Sequence, residues 1–414
     1  MNLDESLNWL YTQKKSKKRE DLSRISYCIK KLGIKTNYPV IHIAGTNGKG
    51  STATFIKSIL MEANYKVGFF VSPFVISFNE RIEINNDYIT DDKLIEYILK
   101  LKDFANEYTN EFNDTIPFFE LTFLMALMYF EENNIDVGVI ECGLGGRLDA
   151  TNCLDKKISV ITNIGFDHMQ TLGNTLEEIS YHKLGITRSG VPCFTCVDDS
   201  LKEYYNEYAS INNIPITYVD KMVSNINVSN KTIFKLDNIQ YECSLSGIFQ
   251  AYNASLAIKV CQEFDKTITK ETIQNSLIKA FWPGRFEHIT KNIIIDGAHN
   301  IHGINALVSS IKNGYRNKTI KVIFTALHDK AYKEMINMLD EVVDYYYFTT
   351  INDTRGTNVL EFLSCTNKPY EYGMEEEMIE KALCNLLDDE VLLITGSLHF
   401  ISEARKIVLK KINN

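Results

Sequence analysis

The chain has 414 residues, of which 45% are hydrophobic and 23% are charged, and its formal net charge is −9. This is the composition of a globular protein, and the length exceeds what one hydrophobic core usually serves, so two domains are expected. The negative charge argues against a general nucleic-acid binder, and the lack of a leader-like N-terminus or a long apolar run argues against export or membrane insertion, so we expect a cytoplasmic protein.

The first predicted elements are one or two amphipathic helices between residues 3 and 33, which end at Gly33. A basic cluster at residues 14–19 lies within this stretch. We interpret the cluster as a solvated loop, with anion binding as the alternative.

A glycine-rich loop follows the strand predicted at residues 40–44 and precedes a helical apolar pattern. The loop combines glycines, a lysine and hydroxyl side chains: Gly45, Gly48, Lys49, Gly50, Ser51 and Thr52. Glycines let successive N–H groups turn toward an anion at a helix N-terminus, and lysine adds a point charge. The spacing departs from G-x-x-x-x-G-K-[ST], and a plain turn is the alternative. The order of strand, loop and helix nevertheless favours a phosphate-binding loop for a nucleoside triphosphate.

Strands and helices alternate in the following segment. Strands are predicted at residues 66–71, 137–142 and 158–162, and helices from Thr90 to about residue 108 and at residues 118–133. Such alternation implies a mostly parallel sheet that is covered on both faces.

Ser51, Glu141 and His168 each end a predicted strand or lie in the segment that follows one. Because the carboxyl ends of parallel strands share one edge of a sheet, the three side chains are expected on that edge. Mg²⁺ prefers oxygen ligands and usually takes only one or two protein carboxylates beside phosphate and water. Each residue alone could be structural, but their joint placement around a phosphate loop favours metal binding.

Nine cysteines are scattered over the chain, and this odd number predicts reduced thiols rather than a disulfide framework. Cys193 and Cys196 form a C-x-x-C. We interpret them as part of a strand at residues 191–197, because no second pair or group of histidines accompanies them to make a redox or zinc site.

The alternation continues beyond residue 191 with shorter elements. An antiparallel ribbon is predicted at residues 214–245 and helices at 250–264 and 270–280, before proline and glycine stop the helical pattern at residues 283 and 284. We therefore expect one domain at residues 1–289 and a smaller α/β domain at residues 290–414. The second domain is predicted to have strands at residues 293–296, 320–324, 345–349 and 391–395 and helices that begin near residues 302, 331, 358, 375 and 398.

Eight motifs occur in the order and spacing of the folylpolyglutamate synthases and dihydrofolate synthases, members of the Mur ligase superfamily: GTNGKGS, SPF with NERI, ECGLGGRLDATN, TNIGFDHM, LSGIFQAYN, WPGRFE, DGAHN and TGSLHF. The chain resembles this family from its N-terminal helices to Phe400. The resemblance implies an α/β fold, with a P-loop, Mur-ligase-like central domain built on a mostly parallel sheet and a smaller, Rossmann-like C-terminal domain.

The resemblance also implies roles for individual residues. The ATP phosphate loop would comprise Thr46, Asn47, Gly48, Lys49, Gly50 and Ser51, with Lys49 catalytic. Two Mg²⁺ ions would be held by Ser51, Ser72, Glu141 and His168. Lys183 would be carbamylated by CO₂ and so support a metal, whereas an unmodified helix-end lysine is the alternative. The remaining matches are to nucleotide contacts (Asn253, Arg285 and Asp296), a catalytic histidine (His299) and the pterin-side pocket (Phe118, Phe119, Glu120, Leu148, Asp149 and Ala150).

The implied reaction is ATP-dependent addition of L-glutamate to a folate, and also to dihydropteroate, through an acyl phosphate. Closure of the two domains would exclude water from this intermediate. The expected partners are these small molecules alone, without nucleic acid or membrane, and the expected state is a monomer. The chain departs from the family at four positions, where His, His, Glu and Pro are common: Phe74, Phe249, His182 and Ile301.

Three alternatives stay open. The enzyme could catalyse only one of the two glutamate additions. It could be a cell-wall amino-acid ligase of the same superfamily, although it lacks a separate nucleotide-sugar domain before the loop. It could also be a nucleotide-gated binding switch, which would hydrolyse ATP slowly without forming a condensed product.

Overall fold

The computed structural model describes residues 2–13, 21–351 and 355–412, so the basic cluster at 14–19 lies outside the described residues. The chain divides into two compact units. The first comprises residues 1–164, 168–220 and 256–276, and the second comprises residues 165–167, 221–255 and 277–414. The boundary expected between residues 289 and 290 stays a prediction, because a division by compactness does not show where a domain could be cut.

The first unit contains a mixed sheet in which most neighbouring strands are parallel. In the described residues its strand order is β4-β3-β2-β5-β1-β6-β7-β8, and only β3 and β4 pair antiparallel with their neighbours. The strands are β1 Val40–Ala44, β2 Val67–Phe70, β3 Ile82–Ile84, β4 Asp87–Tyr88, β5 Val137–Glu141, β6 Ile158–Ile161, β7 Cys193–Thr195 and β8 Ile216–Tyr218. Every residue of β1, β2, β5 and β6 is buried, as expected for central strands of a parallel sheet.

The helices of the first unit begin and end at the signals that the sequence carries. Thr90 caps its helix by accepting a hydrogen bond from the Lys93 backbone N–H, and Gly33 ends another helix in the left-handed conformation with φ +71°. The helices are α1 Leu3–Thr12, α2 Ser23–Leu32, α3 Lys49–Glu62, α4 Asp91–Phe112, α5 Phe118–Glu132, α6 Met169–Leu172, α7 Leu176–Leu184 and α8 Lys202–Asn212. Two further helices contribute residues to both units: α9 Ile248–Phe264 and α10 Lys270–Lys279.

The second unit contains two sheets in its described part. A small antiparallel sheet has the order β11-β10-β9, and a larger sheet has the order β12-β13-β17-β14-β15-β16, in which only β12 is antiparallel. The strands are β9 Val223–Val228, β10 Thr232–Leu236, β11 Ile239–Cys243, β12 Glu287–Thr290, β13 Ile293–Ile295, β14 Thr319–Phe324, β15 Tyr345–Thr349, β16 Tyr370–Gly373 and β17 Glu390–Thr395. The helices are α11 Ile301–Gly314, α12 Tyr332–Leu339, α13 Glu375–Cys384 and α14 Leu398–Ile412.

The predicted α/β class and mostly parallel central sheet are confirmed, but some elements differ from the predictions and others, such as β3, β4 and β12, were not predicted. Ile216–Tyr218 was expected in the antiparallel ribbon, yet it pairs in parallel with β7 in the large sheet. The helix expected near residue 358 is only a 3-10 turn at Val359–Glu361. The parallel edge strand Tyr370–Gly373 was not predicted, because its burial alternates and a glycine ends it.

All nine cysteines are free thiols, as predicted. Cys193 lies buried in β7, where burial raises its pKa to about 12. No helix in the described ranges combines the length and the apolar character that a membrane crossing requires.

Candidate active site

The glycine loop between β1 and α3 depends on a close backbone approach. Gly45 has φ +149°, and a Cβ atom added there would lie 1.8 Å from the Thr162 hydroxyl oxygen. Gly48 occupies the N-cap of α3 with φ +79°, a left-handed conformation that other residues rarely adopt. In the described residues Gly48 gives the helix no side-chain cap, so the first N–H groups of α3 lack the usual cap acceptor. This is the geometry of an anion site at a helix N-terminus.

Hydrogen bonds fix the loop to the end of β6. The backbone N–H of Thr46 donates to the Asn163 carbonyl at 3.0 Å, and the backbone N–H of Asn47 donates to the Asn163 side-chain oxygen at 2.9 Å. The Thr162 hydroxyl donates to the Asn47 carbonyl at 2.6 Å. The loop is therefore held in shape by the neighbouring strand.

Charged groups converge on the same loop. The Lys49 ammonium donates to the carbonyls of Gly45 and Thr46, each at 3.2 Å, and lies 3.9 Å from a carboxylate oxygen of Glu141. The Lys183 ammonium, which is buried, donates to the same Gly45 carbonyl at 2.9 Å. The structure therefore brings together two lysines and one carboxylate that are more than 40 residues apart from one another in sequence.

The residues predicted to bind metal differ in burial. Glu141 is buried at the end of β5 and accepts a hydrogen bond from the Ser72 backbone N–H at 3.1 Å, and Ser51 is buried in the first turn of α3. His168 is exposed at the start of α6 with φ +50°. Among the described residues, no three His, Cys, Asp or Glu side chains group into a metal site. The oxygen donors of Ser51 and Glu141 suit Mg²⁺, which takes its other ligands from phosphate and water.

Glu120 and Asp149, which are predicted to line the substrate pocket, accept hydrogen bonds from other residues of the protein. Arg24 binds Glu120 through two hydrogen bonds, one of them 2.8 Å from Nε, and lies 3.3 Å from Asp114. Asp149 accepts hydrogen bonds from the backbone N–H groups of Gly143 and Leu144 at 3.0 and 2.9 Å. These carboxylates position the start of α5 and the glycine turn after β5, and their contact with a substrate stays a prediction.

The other predicted pocket residues are aromatic or lie in the turn after β5. Phe118 stacks on Tyr11 with ring centroids 5.5 Å apart, and Phe119 packs against Phe70 at 5.8 Å. Leu148 is exposed, whereas Ala150 is buried in a 3-10 turn.

In the second unit, the side chain of Asp296 connects the WPGRFE and DGAHN motifs. Its carboxylate accepts the backbone N–H groups of Phe286 and Ala298 at 2.8 and 2.9 Å, and the Gly297 N–H donates to the Gly284 carbonyl at 2.9 Å. Burial raises the pKa of Asp296, and the charge of Arg285 opposes that rise. Phe286 has φ +50°, an uncommon value for an aromatic residue, and such strain is often found at functional sites.

His299 belongs to a polar cluster that the sequence revealed only in part. Asp167 accepts hydrogen bonds from the Lys330 ammonium at 2.8 Å and from the Asn300 side-chain amide at 2.9 Å, and the His299 Nε2 atom lies 3.8 Å from it. The His299 Nδ1–H donates to the Gly297 carbonyl at 2.8 Å. Sequence reasoning missed Asp167 and Lys330 as site candidates. Asp167 stands directly before His168 and could have been suspected, but a lone loop lysine carries no such signal.

Asn253, predicted to contact nucleotide, lies buried in α9. Its side-chain amide donates to the side-chain oxygen of Gln250 at 3.0 Å, one helical turn away. This bond fixes the orientation of the Asn253 amide.

Comparisons with known proteins match the whole chain. The sequence profile of the Mur ligase middle domain matches residues 43–261, and that of the Mur ligase glutamate ligase domain matches residues 284–398. A dihydrofolate synthase/folylpolyglutamate synthase from Bacillus subtilis is 33% identical, over 96% of this chain and 97% of the relative.

Solved structures agree with these matches. FolC of E. coli in complex with DHPP and ADP superposes with a TM-score of 0.88 and 25% identity, and it covers 100% of this chain and 99% of its own. A bifunctional folylpolyglutamate synthase/dihydrofolate synthase with Mn, AMPPNP and L-glutamate bound superposes with a TM-score of 0.84 and 25% identity, and it covers 100% of this chain and 98% of its own.

The clash at Gly45 predicts a large loss of stability on substitution. We expect Gly45→Ala to lower the free energy of unfolding by about 2–4 kcal/mol, because the new Cβ overlaps the Thr162 hydroxyl and the backbone is strained. Gly190→Ala is the matched control, since Gly190 has φ +73° but no atom of the described residues lies within 4 Å of an added Cβ. It should cost only about 1 kcal/mol. Urea unfolding of both variants tests this, and equal losses would contradict the steric explanation.

The lowered pKa of His299 predicts that the free energy of unfolding depends on pH. Burial lowers its pKa from 6.5 to about 4, so between these values the unfolded chain binds a proton that the folded chain excludes. The stability that this group contributes is present above pH 6.5 and is lost as the pH falls toward 4. About a quarter of the side chain is exposed, so about 3 kcal/mol is an upper bound.

Urea unfolding at pH 7 and pH 5 measures this effect. The loss of stability between the two pH values should be smaller in His299→Gln than in the wild type, because the variant has no imidazole to protonate. The same loss in both proteins would mean that other groups account for the acid sensitivity.

Proposed function

We propose that this chain, which belongs to the dihydrofolate synthase/folylpolyglutamate synthase family of the Mur ligases, is an ATP-dependent ligase that joins L-glutamate to a folate. The reaction class is carbon–nitrogen ligation. The observation that carries the proposal is the convergence of Lys49, Lys183 and Glu141 on the glycine loop at Gly45. The same family includes enzymes named for both glutamate additions, so we propose that this chain also acts on dihydropteroate.

The glycine loop is suited to the phosphates of ATP. The N-terminus of α3 presents backbone N–H groups and the positive end of the helix dipole, and Lys49 adds an ammonium beside them. We place the phosphates against Thr46, Asn47, Gly48, Lys49, Gly50 and Ser51. Lys49 would neutralise charge on the phosphoryl group during transfer, which is the main contribution that a protein makes to this chemistry.

The reaction would proceed in two steps. A carboxylate oxygen of the pteroyl substrate attacks the γ-phosphorus of ATP, and the bond to ADP breaks, which leaves an acyl phosphate. The glutamate amine then attacks the acyl carbon, loses a proton and displaces inorganic phosphate as the amide forms. Excluding water protects the acyl phosphate between these steps.

Mg²⁺ bound at this edge would neutralise phosphate charge and orient the phosphates of ATP. Ser51, Ser72, Glu141 and His168 are the proposed ligands of two ions. The buried Glu141 carboxylate and Ser51 hydroxyl supply the oxygen donors that such an ion prefers. The backbone N–H of Ser72 already orients Glu141, which favours direct coordination by this carboxylate.

Lys183 is proposed to carry a carbamate. Its amine would react with CO₂, releasing a proton and forming a carboxylate that can support a metal. The buried ammonium lies beside Lys49 near the Gly45 carbonyl, so two positive charges share the region of the metal site. Carbamylation would reverse one of these charges, which favours the modified form whenever a cation is bound.

The second unit is proposed to supply the remaining groups. Asn253, Arg285 and Asp296 would contact the nucleotide, and His299 would act in catalysis, with its imidazole neutral at pH 7 because burial lowers the pKa. The pocket residues Phe118, Phe119, Glu120, Leu148, Asp149 and Ala150 would line the pterin side. We also propose that the enzyme is cytoplasmic, which its free cysteines favour. It would work as a monomer on small molecules alone.

The proposal is tested by glutamate-dependent phosphate release from ATP and by mass detection of the product. The assay is run with dihydropteroate and with a reduced folate monoglutamate. Activity with both substrates is expected, whereas activity with one alone would identify a monofunctional enzyme. Phosphate release that ignores glutamate would instead support a nucleotide-gated switch.

Lys49→Ala should lower kcat well over tenfold without unfolding the protein, because the side chain acts on phosphoryl charge. Its polar contacts within the described residues are two backbone carbonyls and a carboxylate 3.9 Å away. Steady-state kinetics measures the loss, and circular dichroism checks the fold. A folded variant with near-normal turnover would contradict the phosphate-loop assignment.

Lys183→Ala should be nearly inactive and be partly rescued by acetate, which can replace the missing carboxylate. Lys183→Arg is the matched control, because it keeps a positive charge but forms no carbamate and leaves no space for acetate. Turnover is measured with and without acetate at fixed ionic strength. Full activity of Lys183→Arg, or rescue of both variants alike, would argue for a bare structural lysine.

A further inference from the structure

Arg81 is a buried cation surrounded by aromatic rings in the first unit. It is the last residue of the 3-10 turn Phe78–Arg81, which directly precedes β3, and only 8% of the residue is exposed. Its guanidinium carbon lies 5.2 Å from the Phe74 ring centroid, 5.6 Å from that of Phe78 and 5.4 Å from that of Phe118. Cation–π contacts of this kind stabilise a guanidinium but leave its N–H donors unsatisfied.

The two carboxylates that interact electrostatically with Arg81 are hydrogen-bonded to other donors. Glu80 accepts the backbone N–H groups of residues 75, 76 and 77 at 2.6 to 2.9 Å. Glu141 accepts the backbone N–H of Ser72 and faces Lys49. In the described part of the chain, no carboxylate lies within ion-pair distance of Arg81, and its buried Nε atom has no hydrogen-bond acceptor.

A second buried arginine in this unit, Arg24, has its charge compensated by carboxylates. Arg24 is as buried as Arg81, but it bonds Glu120 through two nitrogens and lies 3.3 Å from Asp114. A buried charge without such partners opposes folding, so its retention calls for a role outside stability. Burial lowers the pKa of Arg81 to about 10, which still leaves it charged at neutral pH.

The rings around Arg81 suit a planar aromatic acid. Phe74 and Phe118 are partly exposed, and Tyr11, which is half exposed, stacks on Phe118 at 5.5 Å. The Val71 backbone N–H donates to the Arg81 carbonyl at 3.1 Å, and the next residue, Ser72, donates its backbone N–H to Glu141 at 3.1 Å. Arg81 is therefore close to the proposed metal and phosphate edge. An acid stacked on these rings would therefore present its carboxylate to Arg81 close to where phosphoryl transfer takes place.

We propose that Arg81 binds the carboxylate of the pteroyl substrate through its guanidinium fork and so positions it for activation. This inference rests on the proposed function, since it assigns a residue to the substrate of the same site. A phosphate of ATP is a poorer candidate, because the glycine loop already provides helix N–H groups and Lys49, whereas Arg81 is enclosed by rings. The fork matches the two oxygens of a carboxylate.

The test compares Arg81→Met, which keeps the apolar volume, with Arg81→Lys, which keeps the charge without the fork. We expect Arg81→Met to raise the KM for dihydropteroate at least about tenfold while the KM for ATP stays within about twofold. Arg81→Lys should have an intermediate KM. The melting temperature of Arg81→Met should be unchanged or higher, because an uncompensated buried charge is removed.

Arg24→Met is the matched control for stability, and it should lower the melting temperature because two carboxylates lose the arginine that they contact. If Arg81→Met also lowers the melting temperature and leaves both KM values unchanged, Arg81 serves packing and the proposal is wrong.

A binding experiment separates this inference from the ligase activity. Dihydropteroate and its carboxamide analogue are titrated into wild type and Arg81→Met, with binding followed by fluorescence. The wild type should prefer the acid at least about tenfold, and the variant should lose this preference. A preference that persists in Arg81→Met, or is missing in the wild type, overturns the proposal whether or not ligation is observed.

Discussion

The close approach of Gly45 to Thr162 is the contact on which the candidate site depends. With no side chain between them, the end of β1 reaches the end of β6, and the loop that follows bonds to Asn163 through both backbone and side chain. The Gly45 carbonyl then accepts both Lys49 and Lys183. One glycine thereby sets the position of two cations that come from different helices, and any bulkier residue would separate them.

Each unit also contains buried groups whose charged form burial disfavours. In the first unit Arg81 keeps a charge among aromatic rings, and in the second unit burial raises the pKa of Asp296 and lowers that of His299. The pair of Arg24 with Glu120 shows that the first unit can compensate a buried charge where stability alone matters. Stability that is given up at a few positions is characteristic of functional residues.

Local signals in the sequence predicted many of the elements and the order of strand, glycine loop and helix at residues 40–62, because caps, glycines and apolar periodicity act over a few residues. Thr90 and Gly33 bound their helices where expected. The register of Ile216–Tyr218 could not be predicted, since whether a short strand joins a ribbon or the large sheet is decided by distant partners. For the same reason, the ion pair of Asp167 with Lys330 and the aromatic contacts of Arg81 could not be predicted, because they join residues that are distant in sequence.

The structure further separates residues that shape the pocket from those that can contact a substrate. Glu120 and Asp149 occupy family pocket positions, yet their oxygens accept hydrogen bonds from Arg24 and from the glycine turn after β5. Removing either carboxylate would leave buried donors unpaired, so stability and substrate affinity would fall together. Arg81 is in the opposite situation, since the guanidinium contacts aromatic rings in the described residues. Removing its charge is therefore expected to leave the free energy of unfolding unchanged or higher. A joint measurement of stability and KM therefore distinguishes a residue that supports the pocket from one that binds the substrate.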